Sequence, residues 1–243
     1  MTAPTLSCII PAFNEAPRIG AVLDAVLDHP LIHEIVVIDD GSSDDTAARA
    51  QAVALRAPHL RVIRLERNGG KTRAVTRGIA EATSSHILLL DSDLLGLHHD
   101  ELTALIAPVL EGRADASLSL RGNAPLVWRG LGIDYISGER VMRRELLASR
   151  AEALQSLPKF GLEVFINGLW IEQGLKIAVV RWPGVESPMK HEKRGGWLMG
   201  LKADAAMLGD IFHTVTPLET LRQVFRLRQR RVPGPGLAAS DHH

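Results

Sequence analysis

The sequence predicts an α/β fold built on a doubly wound, mostly parallel sheet. Three observations carry that expectation. Four short runs rich in Ile, Val and Leu punctuate the first half of the chain, amphipathic helical segments separate them, and acidic residues gather where the runs end. The runs are LSCIIPAF from Leu6, EIVVIDD from Glu34, LRVIRLE from Leu60 and HILLLDSD from His86. Such near-continuous apolar runs suit strands covered on both faces, which is the environment of a parallel sheet flanked by helices. Between the first two, Ile19, Val22, Leu23, Val26 and Leu27 fall on one helical face. After the second, Gly41 makes a turn, and Ser42 and Asp45 have the spacing of a helix cap. A third helix, from about Thr72 to Ala82, places Val75, Gly78, Ile79 and Ala82 on its inner side. The β-α-β-α-β-α-β order implies a right-handed parallel arrangement, with ligands bound beyond the carboxyl ends of the strands.

The second half is less regular. ELTALIAPVLEG reads as a helix and ADASLSL as a strand, while the stretch from Arg121 to Leu147 reads as connecting loops and a site wall. GLEVFINGLWIEQG reads as a helix ended by Gly174, and LKIAVVRW as a strand stopped by Pro183 and Gly184. A polar loop, VESPMKHEKRGG, precedes helices up to about Arg231 and a Pro- and Gly-rich tail.

Composition narrows the function classes. The 243 residues carry 28 basic and 28 acidic side chains, so no net field favours nucleic acid as a partner. A single cysteine, Cys8, precludes an internal disulfide framework and fits a reducing compartment. No apolar run reaches the roughly 18–20 residues that span a bilayer, and the first residues lack a signal-peptide pattern. The expected location is cytoplasmic.

The strand from His86 ends in Asp91-Ser92-Asp93. Two carboxylates so close repel, and the arrangement calls for a salt-bridge partner, a helix N-terminus or a divalent cation. In extended geometry residues one apart point the same way, so both carboxylates can face one crevice.

Four motifs in order, PAFNE, VVIDDGSSDDT, NGGKTRAV and LLLDSDL, resemble a family-2-type glycosyltransferase with the GT-A fold. SGERVMRREL and FGLEVFINGLWIEQGLKIAVV are similar to acceptor-side segments of polyprenyl-phosphate glycosyltransferases and of synthases that glycosylate phosphoglycerate. The resemblance implies a nucleoside diphosphate sugar donor, an acceptor that is a lipid phosphate or a small polar molecule, and Mg²⁺ or Mn²⁺ held by Asp91 and Asp93 with Ser92 between them. It implies residues 1–115 as the donor half of one domain, 116–205 as the acceptor half, and 206–243 as C-terminal helices and tail. Pro11, Ala12, Asn14 and Glu15 would line the nucleotide pocket, Pro11 ending the strand and exposing the Ala12 backbone. Asp39 or Asp40 would contact the base or ribose. Lys71, at a helix start opened by glycines, would reach a phosphate or the base; a solvated surface lysine is the competing reading. Glu163 is the candidate general base of an inverting enzyme, against an ordinary helix carboxylate. His191 would complete the metal site or clamp the diphosphate with Arg194, against a solvated charge run.

Two rival classes are weaker on residues. A nucleotidyltransferase would want a glycine-rich loop after the first strand, where PAFNE has none, and a silent sugar-nucleotide-binding module would not need the acidic pair. Finally, PLETLRQVFRLRQRR groups Leu218, Leu221, Val224 and Phe225 beside five arginines, a pattern suited either to packing on the domain or to peripheral contact with an anionic membrane.

Overall fold

The computed structural model describes residues 3–157, 161–187 and 215–232. Its elements, in order, are β1 (Leu6–Ala12), α1 (Ile19–Val26), β2 (Glu34–Asp39), α2 (Thr46–Ala54), β3 (Leu60–Arg64), α3 (Lys71–Glu81), β4 (His86–Leu89) and α4 (His99–Leu110). There follow β5 (Ala116–Arg121), α5 (Leu126–Leu131), β6 (Arg140–Arg143), α6 (Glu145–Ala148), α7 (Ala151–Gln155), α8 (Gly161–Glu172), β7 (Ile177–Trp182), α9 (Pro217–Gln229) and β8 (Arg231–Val232). One eight-stranded sheet has the order β3-β2-β1-β4-β6-β5-β7-β8. Every pairing is parallel except the two made by β6, which runs against β4 and β5.

Alternation along the strands builds a core on each face. Cys8 and Ile10 of β1 and Leu88 of β4 join α1, α2 and α4 on one side. Ile9, Ile87 and Leu89 join α3 and the second-half helices on the other. Each fully buried Leu or Ile contributes about 1.5–3 kcal/mol. Gly78 lets α3 approach β1, since a Cβ there would lie 2.3 Å from Ile9 Cγ2.

Three expectations are corrected. The segment from Arg121 to Leu147 is not loop alone: it contains the central strand β6. Arginines at both ends of this four-residue strand hide it from an apolar-run search. Arg140 is tolerated at zero exposure because its Nε donates to Ser137 O (2.7 Å), its Nη1 to Asn167 Oδ1 (2.7 Å) and its Nη2 to Tyr135 O (3.0 Å). Pro11 does not end β1, which continues through Ala12 paired to Asp39. Lacking an N–H, Pro11 faces the β4 side, where pairing stops at Ile9 with Leu89, so the chain beyond Leu89 is free to diverge. The Ala12 carbonyl is taken by Asp40 N–H at 2.8 Å. Ser42 does not cap α2; its hydroxyl accepts from Asn14 N–H at 2.9 Å.

On α9 the apolar residues split into two stripes. Val224 and Leu227 pack inward with Thr220, whereas Leu218, Leu221 and Phe225 are 72%, 50% and 54% exposed. No described helix is long and apolar enough to cross a membrane.

Candidate active site

The site assembles at the carboxyl edge of the sheet, where β1, β2 and β4 end and α3 and α8 begin. The turn after β1 is bound to the turn after β2. Asn14 takes a left-handed backbone (φ 55°), and its Oδ1 accepts from Ser43 N–H at 2.9 Å. Glu15 N–H donates to Thr46 Oγ1 at 2.8 Å and Ala16 N–H to Asp44 Oδ2 at 3.1 Å. The Glu15 carboxylate pairs with Arg18 at 2.6 Å. Gly41 (φ 71°) is required in this packing, since a Cβ would meet the Arg67 carbonyl carbon at 2.7 Å.

The two aspartates after β2 have different surroundings. Asp40 accepts from Gly69 N–H at 3.0 Å and Gly70 N–H at 2.7 Å, so it shapes the turn that opens α3. Asp39 is fully buried; one oxygen accepts from Ser42 N–H at 3.3 Å. The other lies 3.3 Å from Arg64 Nε without hydrogen-bond geometry and has no hydrogen-bond partner.

Lys71 does more than either sequence reading supposed. Its Nζ lies 2.7 Å from Asp91 Oδ1 and 3.2 Å from Glu163 Oε1, joining residues 20 and 92 positions apart. Burial alone would lower the Lys71 pKa, but the charges of Asp91 and Glu163 outweigh it and hold the ammonium protonated. Burial likewise opposes ionisation of Asp91, and Lys71 more than offsets this, so Asp91 stays below the usual carboxylate range. Gly138 lies against the same carboxylate, where a Cβ would be 2.4 Å from Asp91 Oδ2. Asp93 differs in sign. Burial, then the negative charges of Asp91 and Glu15, push it upward, against a Ser187 hydroxyl that donates to Oδ2 at 3.1 Å. Ser92, between the two, is buried.

Below this surface lies a polar network that the sequence did not reveal. Arg121, at the end of β5, sits 3.7 Å from Asp134 Oδ2 and 3.6 Å from Glu139 Oε1. Glu139 Oε2 accepts from Ser119 at 2.6 Å and Ser137 at 3.0 Å. Burial pushes Asp134 up to about 6 against the pull of Arg121. On α8, Glu163, Asn167 and Trp170 occupy one face at helical spacing, and Arg140 lies 5.0 Å from the Trp170 ring. The available signal was polar residues at i and i+4 in an otherwise apolar helix.

The donor set fits a hard divalent cation. Asp91 and Asp93 supply oxygens, and Asp93 carries a charge that its neighbours disfavour. Among the described residues no group of three or more His, Cys, Asp and Glu could hold a metal. His191 and Arg194 lie outside the described residues.

A family profile, glycosyl transferase family 2, matches residues 7–150 and so spans every donor motif. The chain belongs to that family. Glucosyl-3-phosphoglycerate synthase of Mycobacterium tuberculosis H37Rv is 33% identical over 117 residues, covering 44% of this chain and 35% of that protein. Dodecaprenyl-phosphate galacturonate synthase of Rhizobium johnstonii is 35% identical over 94 residues, covering 37% of this chain and 28% of that one. The aligned region thus spans about a third of the curated relatives' length. The crystal structure of the M. tuberculosis synthase with Mn²⁺, UDP and glucosyl-3-phosphoglycerate superposes with a TM-score of 0.65 at 26% identity, over 87% of this chain and 80% of that one. This family 2 protein has the GT-A fold of that synthase.

Proposed function

We propose that this family 2 protein transfers a sugar from a nucleoside diphosphate sugar, a UDP-sugar first among them, to an acceptor hydroxyl or phosphate. The observation that carries the reading is the Asp91–Lys71–Glu163 chain: one ammonium joins a metal carboxylate to the candidate base across the crevice. Asp39, whose buried Oδ2 is ion-paired to Arg64 but not hydrogen-bonded, accepts from the imide N–H of the base, while Asp40 holds the Gly69–Gly70 turn. Pro11, Ala12, Asn14 and Glu15 line the nucleotide side, and Ser92 keeps Asp91 and Asp93 at their spacing. A bound Mg²⁺ or Mn²⁺ would neutralise charge growing on the leaving diphosphate. Lys71 supplies a fixed positive charge at the same edge, needing no reorganisation as the bond breaks. Glu163 accepts the proton of an acceptor hydroxyl. His191 and Arg194 remain candidates for the metal and diphosphate, and residues 116–205 for the acceptor side.

What the relatives' names say of acceptors, phosphoglycerate in one and a prenyl phosphate in another, frames two acceptor classes for this chain: a small polar molecule or a lipid phosphate. Thermal shift with UDP-, GDP- and dTDP-sugars in Mn²⁺ tests the donor reading. A UDP-sugar is expected to raise Tm most. No shift with any of them contradicts it.

The outward stripe of α9 supports peripheral contact with the cytoplasmic face of a membrane. Leu218, Leu221 and Phe225 face solvent with Arg222, Arg226 and Arg228 beside them. Each arginine near an anionic surface adds about 1 kcal/mol. Full-length protein is expected to co-sediment with anionic vesicles at low salt, and Phe225→Glu to abolish this without changing Tm. Equal, negligible binding by both contradicts membrane contact.

A further inference from the structure

Residues 183–187, which follow β7, are wedged between the loops after β4 and β5. On one side Leu95 and Glu186 exchange both backbone hydrogen bonds, at 2.8 and 3.0 Å. Backbone comes so close there that a Cβ on Gly96 would lie 2.3 Å from Gly184 O. On the other side a Cβ on Gly122 would lie 2.3 Å from Pro183 O. Next to it, the Asn123 side chain grips one residue twice. Its Nδ2 donates to Ser187 O at 2.8 Å, and its Oδ1 accepts from Ser187 N–H at 3.4 Å. With its backbone held, Ser187 turns its hydroxyl onto Asp93 Oδ2 at 3.1 Å.

An amide that only satisfied loop backbone would leave the carboxylate alone. Here the chain of bonds runs from Asn123 through Ser187 and ends on the Asp93 carboxylate. We propose that Asn123 and Ser187 are positioning residues for Asp93: the Asn123 amide fixes Ser187, and the Ser187 hydroxyl fixes the orientation of the carboxylate through Oδ2. Partners of this kind orient metal ligands and typically change affinity without touching the ion. The inference rests on Asp91 and Asp93 being the metal carboxylates.

The test is Mn²⁺ affinity in saturating UDP, read from the electron paramagnetic resonance signal of free Mn²⁺. Ser187→Ala and Asn123→Ala are each expected to weaken it by about 10- to 100-fold. Because the two residues act in series, the double variant should be no worse than the weaker-binding single variant by more than about 2-fold. Ser187→Thr keeps the hydroxyl and should bind within about 3-fold of wild type. UDP affinity in EDTA should be unchanged in every variant, which separates positioning from damage to the fold. Wild-type Mn²⁺ affinity in both alanine variants, with Asp93→Ala weakened, overturns the positioning role alone. So do fully additive losses. Unchanged affinity in Asp93→Ala overturns the metal-site reading, and this inference with it.

Discussion

Asp93→Ala is expected to lose turnover by about 10³-fold or more, because a metal-held charge stabiliser contributes several kcal/mol to the transition state. The same substitution should not destabilise the metal-free protein at neutral pH. Asp93 has its pKa raised in the fold, so the folded state binds that proton more tightly than the unfolded chain. The resulting penalty is absent below the unfolded value of about 3.9 and grows as pH rises through it towards the folded value. In EDTA at pH 7, Asp93→Ala should therefore melt at or above the wild-type temperature, and the gain should vanish near pH 3. Undiminished turnover, or a large loss of Tm at pH 7, contradicts the assignment. A purely structural carboxylate would show the opposite pair of results.

Glu163→Gln should lower kcat by about 10²-fold or more, with UDP affinity little changed. The substitution keeps an oxygen for Lys71, now 3.2 Å from Glu163 Oε1, and removes both the carboxylate's basicity and its negative charge. Product formed by wild type should carry the anomeric configuration opposite to the donor's. A near-wild-type rate in Glu163→Gln, or retention of configuration, removes Glu163 from the role of base. Lys71 would then be read as a positioning group for Asp91 alone.

The first half of the fold was legible because its physics is local. Ile35–Ile38 of β2 and Ile87–Leu89 of β4 are buried on both faces, so their sequence is an uninterrupted apolar run, and the charges that follow them mark the carboxyl edge of the sheet. What escaped is non-local. β6 carries arginines at both ends, and Arg140 is acceptable in the middle of a sheet only because Asn167 of α8 joins the Tyr135 and Ser137 carbonyls of the preceding turn as its acceptors. Lys71 was placed at a helix start, but its two carboxylate partners come from the loop after β4 and from the first turn of α8. Ser42 looked like a cap because its spacing to Asp45 fits one; the turn after β1, which arrives from 28 residues away, takes the hydroxyl instead. In the same way Val224 was grouped with Phe225 by helical spacing, and packing against α8 separated them. Arg121 ends β5, whereas Asp134 and Glu139 lie in the connection between α5 and β6, and nothing in either segment announces the other.

The central claim is that sugar transfer here depends on a divalent cation at Asp91 and Asp93. It is tested most directly by UDP release from the UDP-sugar that binds best, measured on wild-type protein in Mn²⁺, after EDTA, and after Mn²⁺ is restored. The account predicts release in Mn²⁺, a fall of about 10³-fold or more in EDTA, and full recovery on re-addition. Release at the same rate in EDTA, or none in Mn²⁺ from a donor that binds, would contradict it.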